Sequence, residues 1–172
     1  MRNKLYIIHQ VTLGVIYIAM IVFFIFKCLE TGSESIESSR RVSDSIAEVI
    51  NHTIGEGTID KESVSFQTFI RKFIGHYSYF VFFGFISTFL YLSFRKRFKA
   101  IILISISISF TIAFLFAFVS EFWLEGVTSG RGASINDVFI DFSGFCTSGL
   151  VIVLIYYIRY LKSPKIIENY TE

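Results

Sequence analysis

The chain has 172 residues, enough for about one domain, and 53% of them are hydrophobic, 18% aromatic and only 17% charged, with a mean hydropathy of +0.60. A water-soluble domain carries about a quarter charged residues, so this composition excludes one, and the single Pro excludes collagen-like and Pro-rich chains. Two Cys cannot build a disulfide scaffold or a zinc cluster, and a net charge of +2 is too small to predict a nucleic-acid partner.

Crossing the roughly 30 Å hydrocarbon core takes about 20 apolar residues in a helix, because lipid offers backbone groups no partner. The first such run, Leu5 to Phe26, is interrupted by His9, Gln10 and Thr12 near its start. It is longer than the apolar part of a signal peptide and no small-x-small cleavage site follows, so it is expected to stay as an anchor. Lys27 is not the small residue that a lipoprotein cysteine at Cys28 would need before it. Residues 28–72 then form a long outer segment. Ile36, Val42, Ile46, Val49 and Ile50 recur near helical spacing among Ser, Glu and Arg, which predicts an amphipathic helix broken by Gly55 and Gly57. A second helical run from Asp60, with Phe66, Phe69, Ile70 and Phe73, leads into the next span. This segment is expected to lie on the headgroups or cap the bundle.

The remaining spans are read at 73–94, 100–119 and 138–161. Ile and Ser alternate strictly through Leu103–Ser109, a strand-like period, but a lone strand cannot cross a membrane and the run is read as helix. The fold class is therefore all-α, an integral membrane four-helix bundle over residues 5–161, followed by a tail at 162–172. Arg2 and Lys4, the Arg95, Lys96, Arg97 and Lys99 turn, and Arg159, Lys162 and Lys165 must share one side. By the positive-inside rule that side is the cytoplasm, which places both termini there, in the cell membrane, and the outer segment and the loop Ser120 to Asn136 outside.

Ionisable groups at or inside spanning helices are costly, so they need partners or a wet cavity. Here they gather at the outer end. Arg71, Lys72 and His76 open the second span; Glu121 and Glu125 close the third; Arg131 follows in Gly130-Arg131-Gly132; Asp137 and Asp141 open the fourth. Lys72, His76, Tyr79 and Phe83 have the spacing of one helical face, as do Asp137, Asp141, Gly144 and Ser148. Gly144 and Gly149 would let another helix approach closely. Two readings stand together: a polar network tying three spans, and an outward pocket for a charged headgroup or a peptide.

These residues resemble the VanZ-like family of membrane proteins. Ile70-Arg71-Lys72-Phe73-Ile74-Gly75-His76-Tyr77 is similar to its Arg-Lys-x-x-His signature, with one extra residue before His76. Glu121 to Glu125, Ser129-Gly130-Arg131, then Asp137, Asp141 and Gly144 are similar to its second block. Glu125 stands where the family commonly has Gln, Phe122 where it has a second acid, and Ser129 where it has Pro. The resemblance implies a cell-envelope protein that lowers susceptibility to teicoplanin-type antibiotics. Membrane lipids and, by implication, a lipid-linked peptidoglycan precursor or a lipoglycopeptide are the expected partners. In the pocket, Arg71, Lys72 and Arg131 would hold phosphate or carboxylate, and Glu121, Asp137 and Asp141 would orient those bases or bind an amine.

An enzyme is the alternative, an intramembrane hydrolase or transferase acting on a lipid headgroup with His76 and Glu121 or Asp141 as base and orienter. No Gly-x-Ser-x-Gly, His-Glu-x-x-His or Cys/His metal spacing occurs, so no cofactor and no metal are expected. A proton- or ion-coupled transporter titrating Asp141 is a third class. The oligomeric state is left open.

Overall fold

The computed structural model describes residues 2–98 and 102–161. The expectations placed on Lys99, Ala100 and the tail at 162–172, and on the side chains of Arg2, Lys4, Arg95, Lys96 and Arg97, lie outside the described residues. The elements are α1 (Arg2–Cys28), α2 (Gly32–Ile54), α3 (Val64–Ile70), α4 (Tyr79–Phe98), α5 (Ile102–Val119) and α6 (Ile135–Leu161). Two stretches wind as π-helix, Arg71–Ser78 between α3 and α4, and Ser120–Glu125 at the end of α5. Among the described residues there is no strand.

Four of the helices are long and apolar enough to span a bilayer: Ile7–Cys28, Val64–Ser93, Ile106–Glu125 and Ile135–Arg159. They are inverted relative to a soluble bundle. On α1, Val11, Val15, Ile18 and Val22 recur every three or four residues and are all exposed, while Leu13, Phe24 and Cys28 turn inward. An apolar belt of that kind is stable in lipid and not in water. The chain is a multi-pass membrane protein.

Local chemistry sets the outer segment. Thr31 caps α2 with a reciprocal box: its backbone N–H donates to Glu34 Oε2 at 2.8 Å and its hydroxyl accepts from the Glu34 N–H at 3.4 Å. The helix stops at Gly55, whose φ of 149° few side chains tolerate, and Gly57 follows at 79°. Asn51 then folds the turn back, donating to the Ile59 carbonyl at 2.9 Å and accepting the Ile59 N–H at 2.8 Å. Ser63 caps α3, accepting the Phe66 N–H at 3.4 Å, and from there the helix runs through the π stretch into α4. The alternating Ile/Ser run is helical, and buried Ser109 meets Ser87 of α4 at 3.3 Å.

The most extensive packing joins α4 to α6. In lipid, apolar side chains gain little by meeting one another, so helices associate where small residues allow close packing. A Cβ on Gly84 would collide with Ser148 Oγ and sit 2.7 Å from the Phe145 carbonyl oxygen; one on Gly144 would collide with the Tyr77 carbonyl oxygen. A Cβ on Gly149 would sit 3.1 Å from the Phe110 ring and 3.2 Å from Thr88 Oγ1 of α4. Around this seam Phe80, Phe83, Phe145, Val138, Ala113, Ala117 and Phe24 form the core. Several of its rings meet edge-on, such as Phe80 on Phe24 at 5.2 Å and Phe110 on Phe145 at 5.1 Å.

Candidate functional site

Five of the eight charged residues singled out from the sequence lie in the two π stretches: Arg71, Lys72 and His76 in the first, Glu121 and Glu125 in the second. A π turn bonds each N–H five residues back, as Gly126 does to the Glu121 carbonyl at 2.9 Å. The turn widens, and such bulges occur frequently at functional sites.

The first stretch faces the start of α6 as two rungs. Lys72 Nζ donates to Asp137 Oδ1 at 2.6 Å, and one turn further on His76 Nδ1 stands 3.1 Å from Asp141 Oδ1. Both pairs are 65 residues apart in sequence. A constant offset arises only between parallel helices, as the second and fourth spans of an up-and-down bundle are. His76 and Asp141 are buried, and among the described residues Asp141 Oδ2 has no hydrogen-bond partner. An orphaned buried carboxylate oxygen costs a few kcal/mol at least, so its retention calls for a reason.

The second stretch holds the loop before α6. Glu121, 2% exposed, accepts the Ser134 N–H at 2.8 Å. Glu125 Oε1 pairs with Arg131 at 2.9 Å. Arg131 also donates to the Lys27 and Cys28 carbonyls, both at 3.3 Å, and to Ser35 Oγ at 2.5 Å. The end of α1, the start of α2 and the α5–α6 loop are thus clasped by one guanidinium. The glycines beside it serve this approach. Gly130 has φ 77°, a Cβ on Gly32 would collide with the Gly130 carbonyl, and the Gly32 N–H reaches the Ser129 carbonyl at 2.9 Å. The same geometry brings a ligand atom from each of His76, Glu121 and Glu125 within 4.8 Å of one another.

In front of the rungs lies a cavity of about 470 Å³, bounded by α1, the first π stretch and the loop, and roofed by α2. Arg71, His76, Glu125 and Arg131 line it, and so do Lys27 and Glu30, which pair at 2.5 Å. Phe23, Phe24, Ile74 and Phe82 give it apolar walls, and Ser35, Ser38 and Ser39 a hydroxyl roof. Arg71 makes no ion pair among the described residues. Lys72, Glu121, Asp137 and Asp141 do not line it.

All eight predicted residues therefore converge on one end of the bundle, in two layers. Tyr79 lines the cavity with His76, and its hydroxyl donates to the Met20 carbonyl of α1. The roof was not visible as part of the site, although Gly32, Ser35, Ser39, Ser43 and Ala47 recur at helical spacing as a stripe of small residues. Lys27 and Glu30 were missed because a charged pair at a helix end reads as an interfacial anchor. No known protein family, no curated protein and no solved structure matches the chain.

Proposed function

We propose that this membrane protein binds an amphiphile with an anionic headgroup in the cavity beneath α2, as a VanZ-like protein of the cell envelope would. The observation that carries the reading is the cavity's division into a charged end with an unpaired arginine, Arg71, and apolar walls of Phe23, Phe24, Ile74 and Phe82. Its volume lies within the range of small-molecule pockets. Arg71 supplies a two-pronged partner for a phosphate or carboxylate, and the aromatic walls accept the first methylenes of an acyl chain. Arg131 is already engaged by Glu125, Ser35 and two carbonyls, so it shapes the pocket, and Arg71 is the primary anion ligand.

The candidates of that chemistry are a phospholipid headgroup, a lipid-linked cell-wall intermediate and an acylated glycopeptide antibiotic. With both termini cytoplasmic, the cavity opens to the outer leaflet, where all three are found. The functional test is teicoplanin and vancomycin susceptibility of a sensitive Gram-positive host expressing the unmutated chain, Arg71→Gln or Asp141→Asn at matched membrane levels. Raised teicoplanin tolerance that Arg71→Gln abolishes supports the reading; susceptibility equal to empty vector for all three removes the antibiotic from it.

A second reading, a hydrolase or transferase acting on the bound headgroup, draws on the buried His76–Asp141 pair at 3.1 Å, which has base-and-orienter geometry. It predicts turnover of a bound lipid that His76→Asn abolishes while binding persists.

A further inference from the structure

We infer that His76, Glu121 and Glu125 form a binding site for one divalent transition-metal ion of the zinc class. One imidazole nitrogen and two carboxylate oxygens, from two different helices, are within 4.8 Å of one another. That donor set suits zinc or manganese, bound through nitrogen and oxygen at about 2.0–2.2 Å. Ligand atoms around such an ion lie closer together than 4.8 Å, and the two glutamate side chains supply the rotations that close the gap.

The arrangement behind His76 is what distinguishes this group from a chance gathering of charge. Asp141 Oδ1 engages His76 Nδ1 at 3.1 Å, which fixes the ring with its proton on that nitrogen and leaves the Nε2 lone pair to offer. A carboxylate placed behind a histidine in this way orients metal-ligating imidazoles and raises their basicity. Among the described residues the second oxygen of Asp141 is buried without a partner, so the carboxyl's one hydrogen bond is the one that holds the His76 ring.

Charge counting points the same way. Of the four carboxylates that the third and fourth spans bring to this end, Asp137 is matched by Lys72 and Glu125 by Arg131. Glu121 and Asp141, each at most 2% exposed, are left with a backbone N–H and a histidine. Ionising two buried carboxyls that lack a Lys or Arg partner is expensive, and a nearby dication offsets that cost. The ion needs no amphiphile to bind. Because His76 and Glu125 also line the cavity, it would stand in the wall that an anionic headgroup faces.

The test uses the full chain purified in detergent, stripped with a chelator, and titrated with Zn²⁺ alone by indicator competition and with Co²⁺ alone by visible absorption. One equivalent of Zn²⁺ per chain is expected, with cobalt ligand-field bands that added Zn²⁺ removes. Asp141→Asn should weaken the binding about 10–100-fold. His76→Asn and Glu121→Gln should abolish the stoichiometric phase, and a His9→Asn/His52→Asn variant should keep it. Should either site variant fail to fold, X-ray absorption of the zinc-loaded unmutated chain decides, with one imidazole and carboxylate oxygens expected. Absence of a saturable equivalent, or binding indifferent to Glu121→Gln and Asp141→Asn, overturns the assignment. Lipid binding measured on the chelator-stripped chain keeps the amphiphile reading separately testable.

Discussion

Lys72 meets Asp137 at 2.6 Å one helical turn before His76 meets Asp141 at 3.1 Å, so the second and fourth spans are joined by two polar rungs of equal sequence offset. Removing one member of the outer rung leaves the other unpaired, which costs more than replacing both. Lys72→Met is expected to destabilise the protein by about 1–3 kcal/mol. The Lys72→Met/Asp137→Leu double variant should recover part of that loss, measured by thermal unfolding in detergent.

Close helix packing gives a sharper contrast. Gly144→Ala places a methyl against the Tyr77 backbone carbonyl and Gly84→Ala one against Phe145 and Ser148, and a backbone cannot step aside as a side chain can. Each should cost about 1–3 kcal/mol, the usual penalty for overpacking. Gly14 lies in α1 with nothing within 4 Å of its added Cβ. Gly14→Ala should therefore be neutral or stabilising, since Ala favours helix by about 1 kcal/mol over Gly.

Arg131 holds Glu125 and three groups from α1 and α2 together. Arg131→Gln leaves a mostly buried carboxylate without its cation, and a loss of about 3–5 kcal/mol is expected. The diagnostic is limited proteolysis: cleavage within 31–62 should accelerate in Arg131→Gln, because α2 loses its tether. Arg71→Gln, which breaks no ion pair, should leave that rate unchanged.

The cap of α2 is acid-sensitive. The Glu34 carboxyl is held below its usual range by the backbone N–H of Thr31, with the Thr31 hydroxyl adding to it. A carboxyl whose pKa is lower in the folded state contributes stability above its unfolded pKa and loses it as pH falls through the folded value. Hydrogen exchange of the first turn of α2, corrected for intrinsic rate, should be slow at neutral pH and accelerate on acidification below the ordinary carboxylate range. Glu34→Gln should remove that pH dependence.

The spans were legible in the sequence because hydropathy acts locally, and the break after α2 because Gly55 and Gly57 supply backbone angles that other residues avoid. The convergence of the charges followed from topology: an even number of crossings puts Arg71 to His76, Glu121, Glu125 and the start of α6 at one end. Which acid meets which base did not follow, since equal spacing on two helices permits several registers. The π turns at Arg71–Ser78 and Ser120–Glu125 have no composition that marks them, and they carry His76, Glu121 and Glu125, whose ligand atoms meet. The seryl roof reads in sequence as a solvated face, and only its position over the cavity gives it another role.

The most direct test of the central claim is native mass spectrometry of the detergent-purified chain with phosphatidylglycerol or phosphatidylcholine, comparing the unmutated protein with Arg71→Gln and the cavity-filling Ser39→Trp. The account predicts one retained phosphatidylglycerol, little phosphatidylcholine, and loss of the anionic lipid in both variants. Equal retention of the two lipids by all three proteins would contradict it, because neither the charge of Arg71 nor the space beneath α2 would then be used.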